Sequence, residues 1–308
     1  MSAFADVHFE KYHGTGNDFL VIDAETYVPD RRGLASRECD RETGVGADGI
    51  LFLALEDRYN PPRVIMTLVQ PDGGTAPMCG NGARCAGRWA MERTESDEVM
   101  IDTQAGTRRA YRVESDGSDG SDGSHGSHGS HGSHGSDEQD QDDRIAVEMG
   151  EPTFDPKSIP VLADDPVIEE PIEGLEVTVV NTGVPHAVAF VDDVDAVDLE
   201  AVATPVRHAD AFPLGTNVNL ASSAAEGFRQ RTFERGVEGE TDACGTGAVA
   251  IAAAARRLGL TDGDSISVSP PGGDLEVVFD GDTATLIGPV EHEFDGEVQT
   301  THFSSFDP

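Results

Sequence analysis

Met78-Cys79-Gly80-Asn81-Gly82-Ala83-Arg84-Cys85 and, far downstream, Ala243-Cys244-Gly245-Thr246-Gly247-Ala248 share one pattern, Cys-Gly-x-Gly-Ala. Each runs into a helical stretch, 83–93 after the first and the Ala-, Val-, Ile- and Arg-rich 248–258 after the second. A cysteine just ahead of a helix lies in the field of unpaired N–H groups and the positive dipole end, which lowers a thiol pKa. The glycines admit close backbone approach, and the free N–H groups form an anion site. One such cysteine is more often a small buried residue than a reactive one. Two with the same glycine spacing point to two thiols facing one small anionic substrate.

Outward from these motifs the chain repeats itself. Thr15-Gly16-Asn17-Asp18 leads into Phe19 to Ile22 and Asp23; Thr182-Gly183-Val184-Pro185-His186 leads into Ala187 to Val191 and Asp192. The two Thr-Gly pairs are offset by nearly the same distance as Cys79 and Cys244. Loop, strand and Cys-helix unit recur in one order, which marks an internal duplication. Short strands are expected at 50–55, 64–69, 99–103 and 110–113, and again at 145–149, 177–181, 218–220, 227–234, 265–269, 275–279 and 283–288. Short helices are expected at 29–40 and 198–210. The pattern predicts an α/β (α+β) fold of two similar domains related by a pseudo-twofold, each a β-sheet or barrel wrapped around a central helix. The first domain spans 1–113 and the second 144–289. Between them, 114–143 consists of Ser, Asp, Gly and His with a Gly-Ser-His triplet repeat. Such a segment has little apolar area to set against chain entropy and is expected to be a disordered loop. His125, His128, His131 and His134 offer metal-binding imidazoles, but a solvated linker is the simpler reading.

A length of 308 residues suits two domains. No apolar run approaches about 18 residues, so no membrane association is expected. The first residues lack a basic stretch followed by an apolar one, which predicts a cytoplasmic protein. Four unevenly spaced cysteines fit reduced thiols rather than a disulfide framework. The net charge is −37, with Lys11 and Lys157 the only lysines. Such charge repels itself at low ionic strength and is screened within about 3 Å at 1 M salt, the signature expected of a halophilic protein. It argues against nucleic acid as a partner, since phosphate contacts need clustered Lys and Arg.

Two thiols on opposite faces of one carbon can act as thiolate base and thiol acid. The helix ends would hold a carboxylate and stabilise charge that grows as the α-carbon loses its proton. That chemistry inverts a stereocentre with no cofactor. Lys11 and Lys157 lie in no motif suited to a pyridoxal Schiff base. Cys79 and Cys85 are not in a Cys-x-x-Cys spacing and no second cysteine pair exists, so no metal site is expected. Cys39 and Cys85 read as packing residues.

His13-Gly14-Thr15-Gly16-Asn17-Asp18-Phe19, the two cysteine motifs, Gly183-Val184-Pro185-His186 and Glu234-Arg235-Gly236 resemble the diaminopimelate epimerase family over nearly the whole chain outside 114–143. The resemblance implies cofactor-independent interconversion of LL- and meso-diaminopimelate in lysine biosynthesis. It maps the acid–base pair to Cys79 and Cys244, with His186 and Glu234 assisting. It implies that Gly80, Asn81, Gly245 and Thr246 hold the reacting carboxylate, and that Asn17, Gln70, Asn217, Glu234 and Arg235 hold the distal end. It also implies a diaminopimelate-epimerase-like fold, a homodimer, and a last strand, about 290–308, that returns to the first domain. Gln70 stands where Asn is usual, and Val184 where many members carry a substrate-binding Asn. Proline and hydroxyproline racemases are the alternative; they usually carry His at the position of Asn81 and a Ser-Pro pair where Asp242-Ala243 stands here. A thiol redox or metal-binding protein is a more distant alternative.

Overall fold

The computed structural model describes residues 4–113 and 144–301. The expectations for 114–143, the histidine repeat included, and for the chain beyond 301 lie outside the described residues.

Alternating apolar residues give each inner strand two buried faces. In Asn17–Asp23 and Gly49–Glu56, Phe19, Val21, Leu51 and Leu53 point to one core. Leu20, Ile22, Ile50 and Phe52 point to another, on the opposite side of the sheet. The first core holds helix α2, Gly80–Thr94, and the second is covered by helix α1, Arg31–Glu38. The second half does the same. Val177, Val179, Ala187, Ala189, Val218 and Leu220 pack toward helix α3, Leu199–Arg207, while Val180, Val188 and Ala221 face helix α4, Gly245–Leu258. A one-residue slip of any inner strand would exchange these faces. Each large apolar side chain so enclosed contributes about 1.5–3 kcal/mol.

The strand pairing follows the duplication. Phe4–Gly14 pairs antiparallel with Asn17–Asp23, which runs parallel to Gly49–Glu56, itself antiparallel to Arg63–Val69. Leu175–Asn181, Pro185–Phe190, Asn217–Ser223 and Phe228–Glu234 repeat the same senses in the same order. Arg63–Val69 then runs parallel to Glu98–Thr103, and Phe228–Glu234 parallel to Ser265–Ser269. Arg144–Gly150 pairs antiparallel with Thr283–Pro289 on one side and with Gly106–Val113 on the other, so it joins the two expected domains. The last strand, Glu291–Thr301, pairs with Phe4–Gly14.

The central helices differ in packing. Every residue of α4 from Gly245 to Ala255 is buried, and its alanines let the sheet close around it. In α2 the volume comes from Trp89 and Met91, both about 1% exposed. Leucine-sized residues along α4 would overpack this space.

Candidate active site

Cys79 is the N-cap of α2, in extended conformation, and its Sγ accepts from Gly82 N at 3.3 Å. Cys244 is the N-cap of α4, with Sγ 3.4 Å from Thr246 Oγ1. The two helix starts touch. A Cβ on Gly80 would lie 3.4 Å from Gly245 Cα, and one on Gly245 would lie 3.4 Å from Asn81 N and 2.7 Å from Leu286 Cδ2. A side chain on either glycine would collide with Leu286 Cδ2, 2.8 Å from a Gly80 Cβ, while the two backbones themselves sit in van der Waals contact. Asn81 bridges the seam, donating from Nδ2 to Asn17 Oδ1 at 3.2 Å and to Ala243 O at 3.3 Å. The two turns of the duplication close the site from either side. Asn17 Oδ1 accepts from Cys79 Sγ at 3.9 Å, and Thr182 Oγ1 donates to Thr246 O at 3.0 Å.

A cavity of about 750 Å³ opens over the two helix starts. Its wall includes Cys79, Gly80, Asn81, Cys244, Gly245 and Thr246, and beyond them Asn17, Gln70, Asn217, Glu234 and Arg235. His186 is not on this wall. It is fully buried in strand Pro185–Phe190, in register with Asn217. Its Nδ1 accepts from Asn219 Nδ2 at 2.9 Å, and burial holds its pKa down at about 3, so the ring is neutral. From Asn219 a polar chain runs back to the site. Thr232 Oγ1 donates to Asn219 Oδ1 at 2.9 Å, and Gln230 Nε2 donates to Thr232 Oγ1 at 2.9 Å and to Cys244 O at 3.0 Å.

Burial reverses one expectation. The helix starts were expected to lower both thiol pKa values, yet the Cys79 thiol is pushed up to about 12 and the Cys244 thiol is raised as well. Loss of water from around the thiolate outweighs the N–H groups that favour it, and the Glu234 carboxylate opposes ionisation further. Glu234 is itself pushed up to about 7 by burial, although Thr241 Oγ1 donates to it at 3.1 Å. Glu234 and Arg235 are not paired with each other. The Arg235 guanidinium donates to Leu214 O at 3.2 Å, and its backbone N–H donates to Asn217 Oδ1 at 2.8 Å.

Sequence reasoning missed Asp48 and Arg41, which also line the cavity. Asp48 Oδ2 accepts from Asn17 Nδ2 at 2.6 Å, which turns the Asn17 carbonyl toward Cys79. Arg41 donates to Asp18 at 2.8 Å and to Asp48 at 2.8 Å, and Lys11 meets Asp18 at 2.9 Å. Asp48 sits in a Gly-rich loop, 43–49, ahead of strand Gly49–Glu56, a pattern too common to single it out, and Arg41 lies in no motif. Cys39 and Cys85 are buried away from the cavity wall.

Fold and site together define the class: a duplicated α/β fold with two cysteine-capped helix starts under one cavity at its seam. A hydroxyproline epimerase from Agrobacterium vitis, solved with bound trans-4-hydroxy-L-proline, matches with a TM-score of 0.63 at 17% identity, over 97% of this chain and 93% of that one. A PhzF-family phenazine biosynthesis protein from Bacillus anthracis matches with a TM-score of 0.61 at 13% identity, over 96% of this chain and 99% of that one. Such low identity speaks to fold alone. The sequence narrows it. The diaminopimelate epimerase family model matches residues 9–123 and 178–293. The diaminopimelate epimerase of Methanocella arvoryzae is 42% identical over 298 residues, 95% of this chain and 96% of that one. That of Archaeoglobus fulgidus is 36% identical over 297 residues, 94% and 95% of the two chains. The chain belongs to the diaminopimelate epimerase family.

Proposed function

We propose that this protein interconverts LL- and meso-diaminopimelate by two-thiol acid–base chemistry, without a cofactor, in lysine biosynthesis. One observation carries the reading: two cysteine-capped helix starts meet over a single cavity. One thiolate removes the α-proton from one face, and the other thiol delivers a proton to the opposite face. The N–H groups of the first turns of α2 and α4 have no partner within their helices. With Gly80, Asn81, Gly245 and Thr246 around them, they receive the reacting carboxylate and the charge that builds on it.

The far wall suits the second amino-acid end of the substrate. Arg235 offers a cation to its carboxylate, and Glu234, once ionised, an anion to its ammonium group. Asn17, Gln70 and Asn217 supply neutral polar contacts. His186 is one layer removed and neutral, so its assistance reaches Cys244 through the Asn219, Thr232 and Gln230 chain. Residues 1–113 with the terminal strand, and 144–289, act as the two domains that meet over the substrate. The family resemblance also supports a homodimer and a cytoplasmic location, and the net charge of −37 supports a halophilic protein.

The test is LL-diaminopimelate in heavy water. The expected result is formation of the meso isomer with deuterium at the α-carbon. Turnover of proline or hydroxyproline with none of diaminopimelate would overturn the reading. Binding without exchange would make the protein a receptor rather than an enzyme.

A further inference from the structure

Arg84 lies one and a half turns into α2 and has no exposed surface. Its Nη2 donates to Thr15 Oγ1 at 3.2 Å, while Nε and Nη1 have no hydrogen-bond partner among the described residues. A guanidinium is charged under all ordinary conditions, and burying it without an anion costs several kcal/mol. The fold nevertheless makes room for it. A Cβ on Gly14 would lie 2.9 Å from Nη2, and one on Gly288 would lie 3.2 Å from Nε. The cation is thus enclosed by one glycine from the first half and one from the last strand pair of the second. Burial pulls its pKa down to about 10, and the charges that would pull it back are those of the Cys85 thiol first and the Cys79 thiol second. Cys85 does not reach the cavity wall, whereas the Thr15 turn that Arg84 holds carries Asn17 onto the Cys79 sulfur, 3.9 Å away, which makes Cys79 the anion this cation can serve.

The hydrogen bond to Thr15 has its own consequence. Thr15 holds a left-handed conformation, φ 55°, costly for a β-branched residue. Its turn docks on the second half, where a Cβ on Gly272 would lie 2.0 Å from Thr15 O and Gly272 N donates to Asp242 O at 2.8 Å. Two residues after Thr15, Asn17 meets Cys79 and Asn81. Two residues after Asp242 stands Cys244. One guanidinium therefore braces the turn that meets Cys79 through Asn17 and packs against the chain leading into Cys244.

We propose that Arg84 is a positioning residue of the two-thiol site: its buried cation stabilises the Cys79 thiolate at the base of the cavity and holds the Thr15 turn across the seam. The inference rests on the two-thiol reading of the site, but its main test needs no substrate. The other titratable groups near Cys79 are Cys85 on α2, Cys244 on α4, Glu234, and the Asp48–Arg41 pair on the cavity wall. In a Cys39→Ala, Cys85→Ala, Cys244→Ala background, Cys79 is the sole thiol, and the remaining neighbours are common to every variant compared.

The experiment measures alkylation of Cys79 by iodoacetamide at pH 9 in that background, and epimerisation kinetics in the full-thiol enzyme. Arg84→Met is expected to slow alkylation at least about tenfold, equivalent to one unit of thiol pKa. Arg84→Lys, which keeps the charge, should stay within about threefold of the parent. In the full-thiol enzyme kcat should fall with Arg84→Met and recover with Arg84→Lys, with KM nearly unchanged. Thr15→Val removes the hydrogen bond and keeps the cation, so it should lower kcat while leaving alkylation unchanged. Alkylation at the parent rate in folded Arg84→Met, or Arg84→Lys as slow as Arg84→Met, would overturn the electrostatic role. Should Arg84→Met not fold, Arg84→Gln replaces it under the same criteria. Unaltered kcat in Thr15→Val would overturn the bracing role. Normal alkylation effects with no diaminopimelate turnover in any variant would instead strike the proposed function and leave the placement of Arg84 standing.

Discussion

At the scale of single residues, the site is governed by what burial does to charge. Both proposed acid–base thiols are neutral in the cavity, since desolvation lifts Cys79 to about 12 and Cys244 upward as well. A thiolate must therefore be stabilised by something the cavity or the substrate brings, and removing either sulfur leaves one face of the α-carbon without its proton carrier. Cys79→Ala and Cys244→Ala should each lower kcat by at least about 10²–10⁴-fold, the usual worth of a positioned acid or base. Cys39→Ala and Cys85→Ala should retain turnover, though each loses buried volume. Full activity in either of the first two would refute the two-base scheme. His186 carries a stability consequence. Its pKa is about 3 in the fold against 6.5 when exposed, so the unfolded chain binds the proton first. The stability this neutral ring allows is present above pH 6.5 and is lost as pH falls toward 3, at about 1.4 kcal/mol per pH unit. Urea unfolding at pH 6.5 and pH 5 should show a loss that is about 2 kcal/mol smaller in His186→Gln than in the parent. Equal losses would mean that the ring is not kept neutral by the fold.

At the scale of elements, the two central helices are legible in the sequence because their signal is local. Cys-Gly-x-Gly-Ala followed by an apolar helical run predicts an N-cap cysteine, close approach and a buried helix; both cysteines cap helices whose first turns touch, with Cys244 buried and Cys79 half-buried. The duplication is legible because turns repeat with their glycines, Gly16 at φ 80° and Gly183 at φ 102°. The chain linking His186 to Cys244 is not legible. Asn219, Gln230 and Thr232 lie on neighbouring strands that read as ordinary alternation, and only their register brings the polar sides together. Asp48 and Arg41 are not legible for a related reason, since Asn17 is 31 residues from Asp48 and Asp18 is 23 residues from Arg41. The thiol pKa was misread because a helix-end argument carries no information on burial. Gly247 tests how tightly these elements fit. A Cβ there would lie 2.4 Å from Asn219 Oδ1 and 2.9 Å from Gln230 Nε2. Gly247→Ala should therefore cost about 1–3 kcal/mol by overpacking and lower kcat more than KM changes. A variant with the parent melting temperature would show that this chain is slack.

At the scale of the whole molecule, the charge of −37 acts on every equilibrium at once. Among the described residues most carboxylates are exposed, and many cations are committed to surface pairs such as Arg229 with Asp195 and Arg109 with Glu98. Exposed pairs of this kind contribute about 0–1 kcal/mol each and do not offset the summed repulsion. At 0.15 M salt the screening length is about 8 Å, long enough for neighbouring surface carboxylates to repel; at 1 M it is about 3 Å. Repulsion favours the expanded unfolded chain, so salt should stabilise the folded one. The melting temperature is expected to rise steeply between 0.2 and about 1 M KCl and to flatten beyond, where screening is nearly complete. Non-specific salting-out would instead keep rising with concentration. Surface neutralisation separates the two causes further. Glu151, Glu170, Asp210 and Glu226 are exposed. Converting these to Gln or Asn should raise the melting temperature at 0.2 M KCl and leave it little changed at 2 M. If the neutralised variant gains as much at high salt as at low, relief of repulsion is not the origin of the salt response.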